Sequence, residues 1–359
     1  MEAMDLSFWK GKRVFVTGHT GFKGAWLSLW LQHLGAKVHG FALPPATEPN
    51  LFELAAVAGG MTSGIGDVRD TMALRAAVKQ CRPEVVFHLA AQALVSEGYA
   101  DPVATYATNV MGTVNLFDAI RHTSGVHAIV NITSDKCYEN REWAWPYRED
   151  DALGGHDPYA NSKACAELVT AAYRDSFFSA NAEKSETPAI ATARAGNVIG
   201  GGDWSRDRLV PDLIRAFVAG KPALLRQPKA VRPWQHVLEP LAGYLLLAQQ
   251  LGEGRRDHAS AWNFGPSEAD HRGVAYVAER IAALWAETAR CEIDSGSFPY
   301  ETQLLRIDAS KARQKLGWTP RWNLDQTLEY TTSWYRAWHD GRNMRDETVA
   351  QINAYQHHT

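Results

Sequence analysis

Short runs of consecutive apolar residues recur through the first half of the chain, separated by stretches in which apolar residues repeat at helical spacing. The runs predict buried strands, and the intervening stretches predict helices. Their alternation is typical of a parallel sheet with right-handed crossovers. The predicted strands are 14–16, 37–41, 84–89, 127–133 and 189–195, and the predicted helices are 25–34, one beginning at Thr71, 109–120 and 159–173.

The second half carries four further helical stretches, 238–251, 273–288, 308–316 and 325–338, which predict a smaller lobe. Because 359 residues are many for one core, a large unit with a second lobe is expected. We predict an α/β fold: a Rossmann-type doubly wound parallel sheet with a mostly helical C-terminal substrate-binding lobe. Residues 1–190, with contributions from about 233–265, are expected to form the dinucleotide-binding domain, and residues 191–359 most of the interleaved lobe.

The composition favours a protein that acts on a small molecule. The 37 basic and 40 acidic side chains give a net charge of −3, which offers no support for nucleic-acid or anionic-membrane binding. The four cysteines lie far apart without a C-x-x-C pair, so neither a metal site nor a disulfide framework is predicted. The most apolar stretch, 25–34, is too short to span a bilayer, and we expect a cytoplasmic protein.

A glycine-spaced turn joins the first strand to the first helix. Gly18, Gly21 and Gly24 follow the pattern G-x-x-G-x-x-G, which allows a tight turn that brings helix N-terminal amides to a pyrophosphate. No acid for an adenosine ribose ends the second strand, so the choice between NAD and NADP stays open, with Lys23 and His39 as candidate 2′-phosphate contacts.

Candidate catalytic residues lie later in the chain. Tyr159 and Lys163 are four residues apart, on one face of a helix, where an ammonium can stabilise a phenolate and lower the tyrosine pKa. Ser134 and Asp135 follow a predicted strand, and a glycine-rich loop at 196–204 suggests close backbone approach. Arginines that could recognise anions cluster in the second half, namely Arg194, Arg206, Arg208, Arg226 and Arg232.

Together these motifs resemble the extended short-chain dehydrogenase/reductases that act on nucleotide sugars, over nearly the whole chain. The resemblance rests on Thr17-Gly-x-x-Gly-x-x-Gly24, His88-Leu-Ala-Ala, Ser134, Tyr159-x-x-x-Lys163 and Arg194-x-Gly-Asn197. The longer strings at 17–24, 131–138, 196–204 and 232–237 are similar to the branch whose members dehydrate CDP-glucose. That branch forms a 4-keto-6-deoxy sugar, a precursor of deoxysugars in surface polysaccharides.

The resemblance implies a role for each catalytic residue. Tyr159 would take the proton of the C4 hydroxyl, positioned by Ser134 and supported by Lys163, while Asp135 would protonate the departing C6 hydroxyl. Relatives that dehydrate dTDP-glucose have a glutamate in place of Lys136 as the expected C5 base. Lys136 can serve as that base only when neutral, or it can stabilise the enolate as a cation.

The resemblance also implies the ligands and their contacts. It implies NAD as cofactor, with NADP not excluded, CDP-glucose as substrate, no metal, and a homodimer or tetramer paired through 102–120 and 159–173. The implied cofactor contacts are Gly18, Thr20, Gly21, Phe22, Lys23, Gly24, Asp67, Val68, Leu89, Ala90, Ala91, Asn109, Tyr159 and Lys163. The implied substrate contacts are Asn197, Arg208, Arg232 and His236.

One loop departs from the pattern of similar family members. Ala93, Ser96 and Gly98 stand where these usually have Pro, Arg and Ser, which leaves the substrate and full activity open. The alternatives are a nucleotide-sugar epimerase or 4-ketoreductase, a 4,6-dehydratase acting on another nucleotide sugar, and a sensor that binds a dinucleotide without catalysis.

Overall fold

The computed structural model describes residues 5–179, 187–294, 296 and 302–358. Its strands are β1 Arg13–Thr17, β2 Lys37–Ala42, β3 Thr62–Ile65, β4 Val85–His88, β5 Ala128–Ile132, β6 Ala189–Ala195, β7 Val198–Ile199, β8 Ala223–Leu225, β9 Val231–Pro233, β10 Gln235–His236, β11 Ala261–Phe264, β12 His271–Gly273 and β13 Cys291–Ile293. Its helices are α1 Phe22–His33, α2 Leu51–Leu54, α3 Thr71–Cys81, α4 Val95–Ala100, α5 Pro102–Tyr106, α6 Gly112–Arg121, α7 Pro158–Ser176, α8 Leu209–Val218, α9 Leu238–Gly252, α10 Val274–Trp285, α11 Leu324–His339 and α12 Met344–Gln356.

Seven strands form one parallel sheet in the order β11-β6-β5-β4-β1-β2-β3, which confirms the predicted fold class. Strands β1, β4, β5 and β6 are almost completely buried, because helices cover both faces. The strand order reverses between β1 and β4, where Thr17 pairs with His88. Such a switch point opens a crevice at the carboxyl ends of the strands, where ligands bind in open α/β sheets.

Helix α9 was listed with the helices of the smaller lobe, but it also lies in the stretch 233–265 that was expected to contribute to the dinucleotide-binding domain, and it packs against the central sheet. Tyr244 on α9 meets Phe264 of β11 edge to face at 5.6 Å. Nearly every side chain of α9 is buried, so its continuous apolar character reflects burial on several sides rather than a lobe surface.

A second difference lies in the helix predicted at 109–120. The helical segment begins at Pro102 as α5 and continues without a break into α6, but residues Ala107–Met111 form a π turn. There the Gly112 N–H bonds to the Ala107 carbonyl, five residues back. π turns often occur at functional sites, and this one carries Asn109.

The remaining helices were predicted unevenly. Helices α7, α9 and α11 lie close to their predicted ranges, whereas α8 and α12 were missed. The stretch 308–316 is a short helical segment that ends in a π turn, Ala312–Leu316. Among the described residues, none of the helices combines the length and apolarity that crossing a membrane requires.

Candidate active site

The glycine turn after β1 closes only because two of its glycines lack a side chain. Gly18 has φ +76°, and a Cβ there would lie 2.7 Å from the Ala90 nitrogen, in the loop after β4. A Cβ on Gly24 would lie 2.0 Å from the Gly18 carbonyl oxygen. The turn is therefore pressed against the β4 loop at the switch point of the sheet.

The helix that follows leaves its N-terminal amides open. Gly21 is the N-cap of α1 and supplies no capping side chain, so the first-turn amides, including those of Phe22 and Lys23, are available to a ligand. Open amides on a tight glycine turn suit a pyrophosphate. These residues fit a dinucleotide cofactor by their own geometry.

Other predicted cofactor residues line or support the same crevice. Thr20 is buried and donates to the Leu43 carbonyl at 2.8 Å, after β2. Leu89, Ala90 and Ala91 are half-buried beside the glycine turn. Val68 is buried, and a Cβ on Gly112 would lie 2.7 Å from its Cγ2.

Two predicted cofactor residues make bonds within the protein. Asp67 accepts two side-chain hydrogen bonds from Arg69, at 2.8 Å and 2.6 Å. Asn109 accepts from the Gln92 amide at 2.8 Å and donates to the Ser162 hydroxyl at 2.8 Å. In this structure Asn109 therefore ties the loop after β4 to α7.

Helix α7 presents the Tyr159 and Lys163 side chains beside the end of β5. Asp157 caps the helix by accepting from the Ala160 amide at 2.9 Å, and both functional side chains are buried. Lys163 Nζ donates to the Ile132 carbonyl at 3.2 Å. The structure therefore brings the predicted pair together with Ser134, two residues beyond Ile132.

The pKa of Tyr159 differs from the expectation that Lys163 lowers it. Burial raises the pKa of Tyr159, while its hydrogen bond with Ser134 and the charge of Arg208 oppose that rise. Burial also lowers the pKa of Lys163 to about 8, against the opposing charge of Glu167. In the protein alone, desolvation outweighs the stabilisation of the phenolate.

Asp135 lies beside Ser134 with one carboxyl oxygen unpaired in the described part of the chain. It is buried; Oδ1 accepts from the Ser134 hydroxyl at 3.1 Å, and Oδ2 has no hydrogen-bond partner among the described residues. Burial raises the pKa of Asp135, although the nearby cations Lys136, Lys23 and Arg232 oppose the rise. A carboxyl that favours its proton and keeps one oxygen free can donate to a ligand.

Lys23 lies toward these catalytic residues. Burial lowers the pKa of Lys23 to about 7, with Arg208 and Lys163 lowering it further and Asp135 opposing. The charges of Arg208, Lys163 and Asp135 therefore act on Lys23, which lies in the first turn of α1 beside the glycine turn.

The predicted substrate residues separate into two groups. Arg208 bonds Asp203 at 3.1 Å, and its charge acts on Tyr159; Arg232 is buried, and its charge acts on Asp135. Asn197 is half-buried beyond the end of β6. All three lie at the carboxyl edge of the sheet, so the structure brings them toward the catalytic residues.

His236 is the exception among the predicted substrate contacts. Its ring is 0% exposed and packs edge-on against Trp26 at 5.9 Å and Trp322 at 4.8 Å. Burial lowers its pKa to about 3. The prediction that His236 contacts the substrate is therefore corrected: the ring is an apolar-core residue, without a surface that a ligand could reach.

The loop that departs from the family pattern contacts the site directly. A Cβ on Gly98 would lie 3.1 Å from the Tyr159 amide nitrogen. The Ala93 carbonyl accepts from Arg208 at 3.4 Å. Two of the three departures, Gly98 and Ala93, therefore lie against Tyr159 and Arg208 respectively.

The glycine-rich loop at 196–204 mostly accommodates the protein's own side chains. A Cβ on Gly201 would lie 2.0 Å from Trp334 Cγ, and one on Gly200 would lie 2.9 Å from Val237 Cγ1. Of these three glycines, only Gly196 faces Asp135. A Cβ on Gly196 would lie 3.0 Å from Asp135 Oδ2. The prediction that the backbone of this loop closely approaches other groups is confirmed, but those groups are mainly side chains of the protein's own core.

Sequence reasoning missed Glu167, which lies one turn beyond Lys163 on α7. Its carboxylate accepts from Arg194 Nη2 at 2.8 Å in an ion pair with both side chains 3% exposed. Arg194, predicted among the anion-binding arginines, is thus committed to this buried pair. The available signal was the spacing of Tyr159, Lys163 and Glu167 at four-residue intervals.

The chain belongs to the GDP-mannose 4,6 dehydratase family, whose model matches residues 15–331. This match confirms, at the level of the family, the resemblance to nucleotide-sugar enzymes. A curated relative, CDP-glucose 4,6-dehydratase from Salmonella typhimurium, is 49% identical over 352 residues, 98% of each chain. The dTDP-glucose 4,6-dehydratase from Xanthomonas campestris pv. campestris is 25% identical over 89% of this chain and 92% of the relative.

Solved structures share the fold. A dTDP-glucose 4,6-dehydratase from Bacillus anthracis in complex with NAD superposes with a TM-score of 0.74 at 20% identity, covering 92% of this chain and 99% of that one. An epimerase from Methanothermobacter thermautotrophicus reaches a TM-score of 0.80 at 23% identity, covering 96% and 97%. At these identities the likeness establishes the fold, which dehydratases and epimerases have in common.

Proposed function

We propose that the protein is a hydro-lyase that converts CDP-glucose to CDP-4-keto-6-deoxyglucose. The observation that carries this proposal is the 49% identity, over 98% of both chains, to a CDP-glucose 4,6-dehydratase. Ser134, Asp135, Tyr159 and Lys163 lie together at one edge of the sheet, which supports it. An epimerase would need no acid at position 135.

NAD is the proposed cofactor, held by the glycine turn 18–24 and the open end of α1. When bound, NAD supplies an oxidised, positively charged nicotinamide that takes the C4 hydrogen with its electron pair and later returns both at C6. The dehydratase from Bacillus anthracis, which has the same fold, was solved in complex with NAD. The tight turn against Ala90 favours retention of a cofactor that is regenerated in place.

Tyr159 performs the first proton transfer. Its side chain, hydrogen-bonded to Ser134, acts as the phenolate, which accepts the proton of the C4 hydroxyl as the C4 hydrogen departs and becomes the neutral phenol. Lys163 lies one turn along α7 and supports the negative charge of the phenolate before this transfer. Since burial opposes that charge in the protein alone, a nearby cation is needed when the substrate is present.

Asp135 performs the second transfer. The 4-ketone acidifies the C5 hydrogen, and a water molecule accepts that proton as the C6 hydroxyl departs. Asp135 gives its proton to this hydroxyl through the unpaired Oδ2, so that water leaves. Lys136, whose charge acts on Asp135, stabilises the enolate as a cation.

The substrate diphosphate is assigned to Arg208 and Arg232, with Asn197 beside them. Both arginines exert their charge on catalytic groups, Tyr159 and Asp135 respectively, so an anion bound between them would bring the sugar to those groups.

A homodimer is part of the proposal, paired through 102–120 and α7. Val103, Met111 and Leu168 are exposed apolar side chains on these segments. Sedimentation analysis of wild type and Leu168→Glu checks this: we expect a dimer that the substitution weakens, and a monomeric wild type would contradict it.

The proposed activity is tested by incubating the purified protein with CDP-glucose and NAD and measuring the product mass. We expect loss of one water without net reduction of the cofactor. Unchanged mass with an inverted sugar centre would identify an epimerase and overturn the proposal. Faster turnover of dTDP-, UDP- or GDP-linked sugars would assign another nucleotide to the substrate.

A further inference from the structure

A buried carboxylate lies one helix turn beyond Lys163 on α7. Glu167 is 4% exposed and accepts from three donors: the Thr133 hydroxyl, the Thr192 hydroxyl at 2.7 Å and Arg194 Nη2 at 2.8 Å. Burial alone would raise its pKa, but the Arg194 charge and these bonds more than offset burial and lower the pKa of Glu167. Glu167 is therefore an anion within the core.

The same carboxylate fixes the end of β5. Lys163 bonds the Ile132 carbonyl at 3.2 Å, and Glu167 bonds the hydroxyl of the next residue, Thr133. Ser134, which bonds the catalytic phenol, follows immediately. Two successive turns of α7 thus hold the two residues that precede Ser134.

The charge of Glu167 also acts on the catalytic ammonium. Burial lowers the pKa of Lys163 to about 8, and Glu167 and then Cys137 oppose this. Around Lys163, burial lowers the pKa of His88 on β4 to about 3 and raises that of Cys137 well above its usual value, so both stay neutral near pH 7. Of the other described groups, Lys23 on α1 interacts with Lys163 but is a base, and burial raises the pKa of Tyr159 on α7, so neither supplies an anion near neutral pH.

We propose that Glu167 is a positioning residue that keeps Lys163 protonated and Ser134 in place during oxidation at C4. Arg194 holds the carboxylate ionised from its far side, where it also donates to the Tyr138 hydroxyl at 2.8 Å and the Glu149 carbonyl at 3.0 Å. The kinetic consequence rests on the proposed function. The effect on Lys163 does not depend on it.

The test compares Glu167→Gln with the matched substitution Glu149→Gln. Glu149 is a second carboxylate of the same network; it accepts from the Asn263 amide at 2.9 Å and is not among the described groups that act on Lys163. The Lys163 titration is followed by NMR of protein carrying ¹³C at the lysine ε carbon, with Lys163→Met assigning the signal. The pH dependence of kcat/KM for CDP-glucose is measured in parallel.

We expect Glu167→Gln to lower the pKa of Lys163 by about 1. The alkaline limb of the pH profile of kcat/KM should move to lower pH by about one pH unit as well. Glu149→Gln should move neither. The double variant Glu167→Gln/Arg194→Met leaves no unpaired buried charge and should fold if the single variant does not. It should show the same direction of change.

A Lys163 signal that titrates as in wild type in both Glu167 variants would overturn the proposal, as would an equal shift in Glu149→Gln. If the NMR titration shifts as expected while no variant, including wild type, dehydrates CDP-glucose, then the proposed function fails and the assignment of Glu167 stands.

Discussion

Asp135 and Glu167, the two buried carboxyl groups beside the end of β5, are both 4% exposed. Their hydrogen bonds differ. Glu167 accepts from three donors and faces Arg194, whereas Asp135 accepts from Ser134 and leaves Oδ2 unpaired among the described residues. The pKa of Glu167 is consequently lowered despite burial, and the pKa of Asp135 is raised by burial.

Equal burial therefore goes with opposite pKa shifts, because hydrogen-bond donors and a facing cation decide whether a buried carboxylate holds its charge easily. The lowered pKa suits Glu167 to the proposed support of Lys163, and the raised pKa suits Asp135 to the proposed release of a proton. Substitutions that change donors on one side and not the other separate these two roles.

The largest effect is expected from Asp135→Asn. An amide keeps the shape but has no acidic proton, so turnover should fall by about 10²–10⁴ while oxidation at C4 continues. Stopped-flow absorbance of the reduced cofactor, together with product mass, checks this: reduced cofactor should accumulate without loss of water. Turnover at the wild-type rate would show that Asp135 is not the acid.

The second-largest effect is expected from Arg194→Met, which leaves Glu167 buried without its ion pair. Breaking such a pair typically costs about 3–5 kcal/mol, so the free energy of unfolding should fall by that amount. Urea titration measures it. The double variant with Glu167→Gln should recover most of the loss, and a double variant no more stable than Arg194→Met would contradict the stated cause.

A smaller effect is expected from Gly196→Ala. The new Cβ would lie 2.4 Å from Pro233 Cγ and 3.0 Å from Asp135 Oδ2. Overpacking of this kind costs about 1–3 kcal/mol and should also reduce kcat by displacing the acid. Gly265→Ala is the control, since its Cβ would meet Ile307 Cγ2 at 2.5 Å. Equal losses of kcat in both variants would exclude a specific effect on Asp135.

The smallest effect is expected from Thr192→Val, which removes one of the three donors to Glu167. The loss should be about 1 kcal/mol at pH 7. Because the pKa of Glu167 is lowered on folding, this contribution is present above its unfolded pKa and shrinks as pH falls through the folded value. Denaturant titrations at several pH values measure it.

Thr331→Val is the matched control for that substitution. Thr331 is fully buried, and its hydroxyl has no partner among the described residues, so its replacement should cost little at any pH. A pH-dependent loss in this control would place the titrating group elsewhere.

The sequence predicted best where one local signal determines the outcome. Consecutive apolar residues marked β5 and β6 within a residue or two, and glycine spacing marked the turn at Gly18 because only glycine closes it. Tyr159 and Lys163 lie one turn apart on α7, as their spacing predicts.

Prediction failed where residues distant in sequence determine the surroundings of a side chain. His236 looked like a ligand contact, yet Trp26 and Trp322 enclose it; Arg194 looked like an anion-binding residue until Glu167 paired with it. Helix α12 was missed although its residues carry ordinary helical preferences, because its polar sequence shows only a weak apolar stripe. Trp26 and Trp322 lie far in sequence from His236, and Glu167 lies 27 residues before Arg194.

The number of residues in the π turn at Ala107–Met111 helps to set the geometry of the site. It holds one residue more than the α-helical turn it replaces, and Asn109 within it joins Gln92 to Ser162. Removing a single residue there would convert the π turn into an α-helical turn and leave the segments on either side in phase, because only the extra residue is lost. In-frame deletions across this turn should therefore keep the helix but remove or displace Asn109 from the position that joins Gln92 to Ser162, whereas most substitutions within the turn leave that position intact.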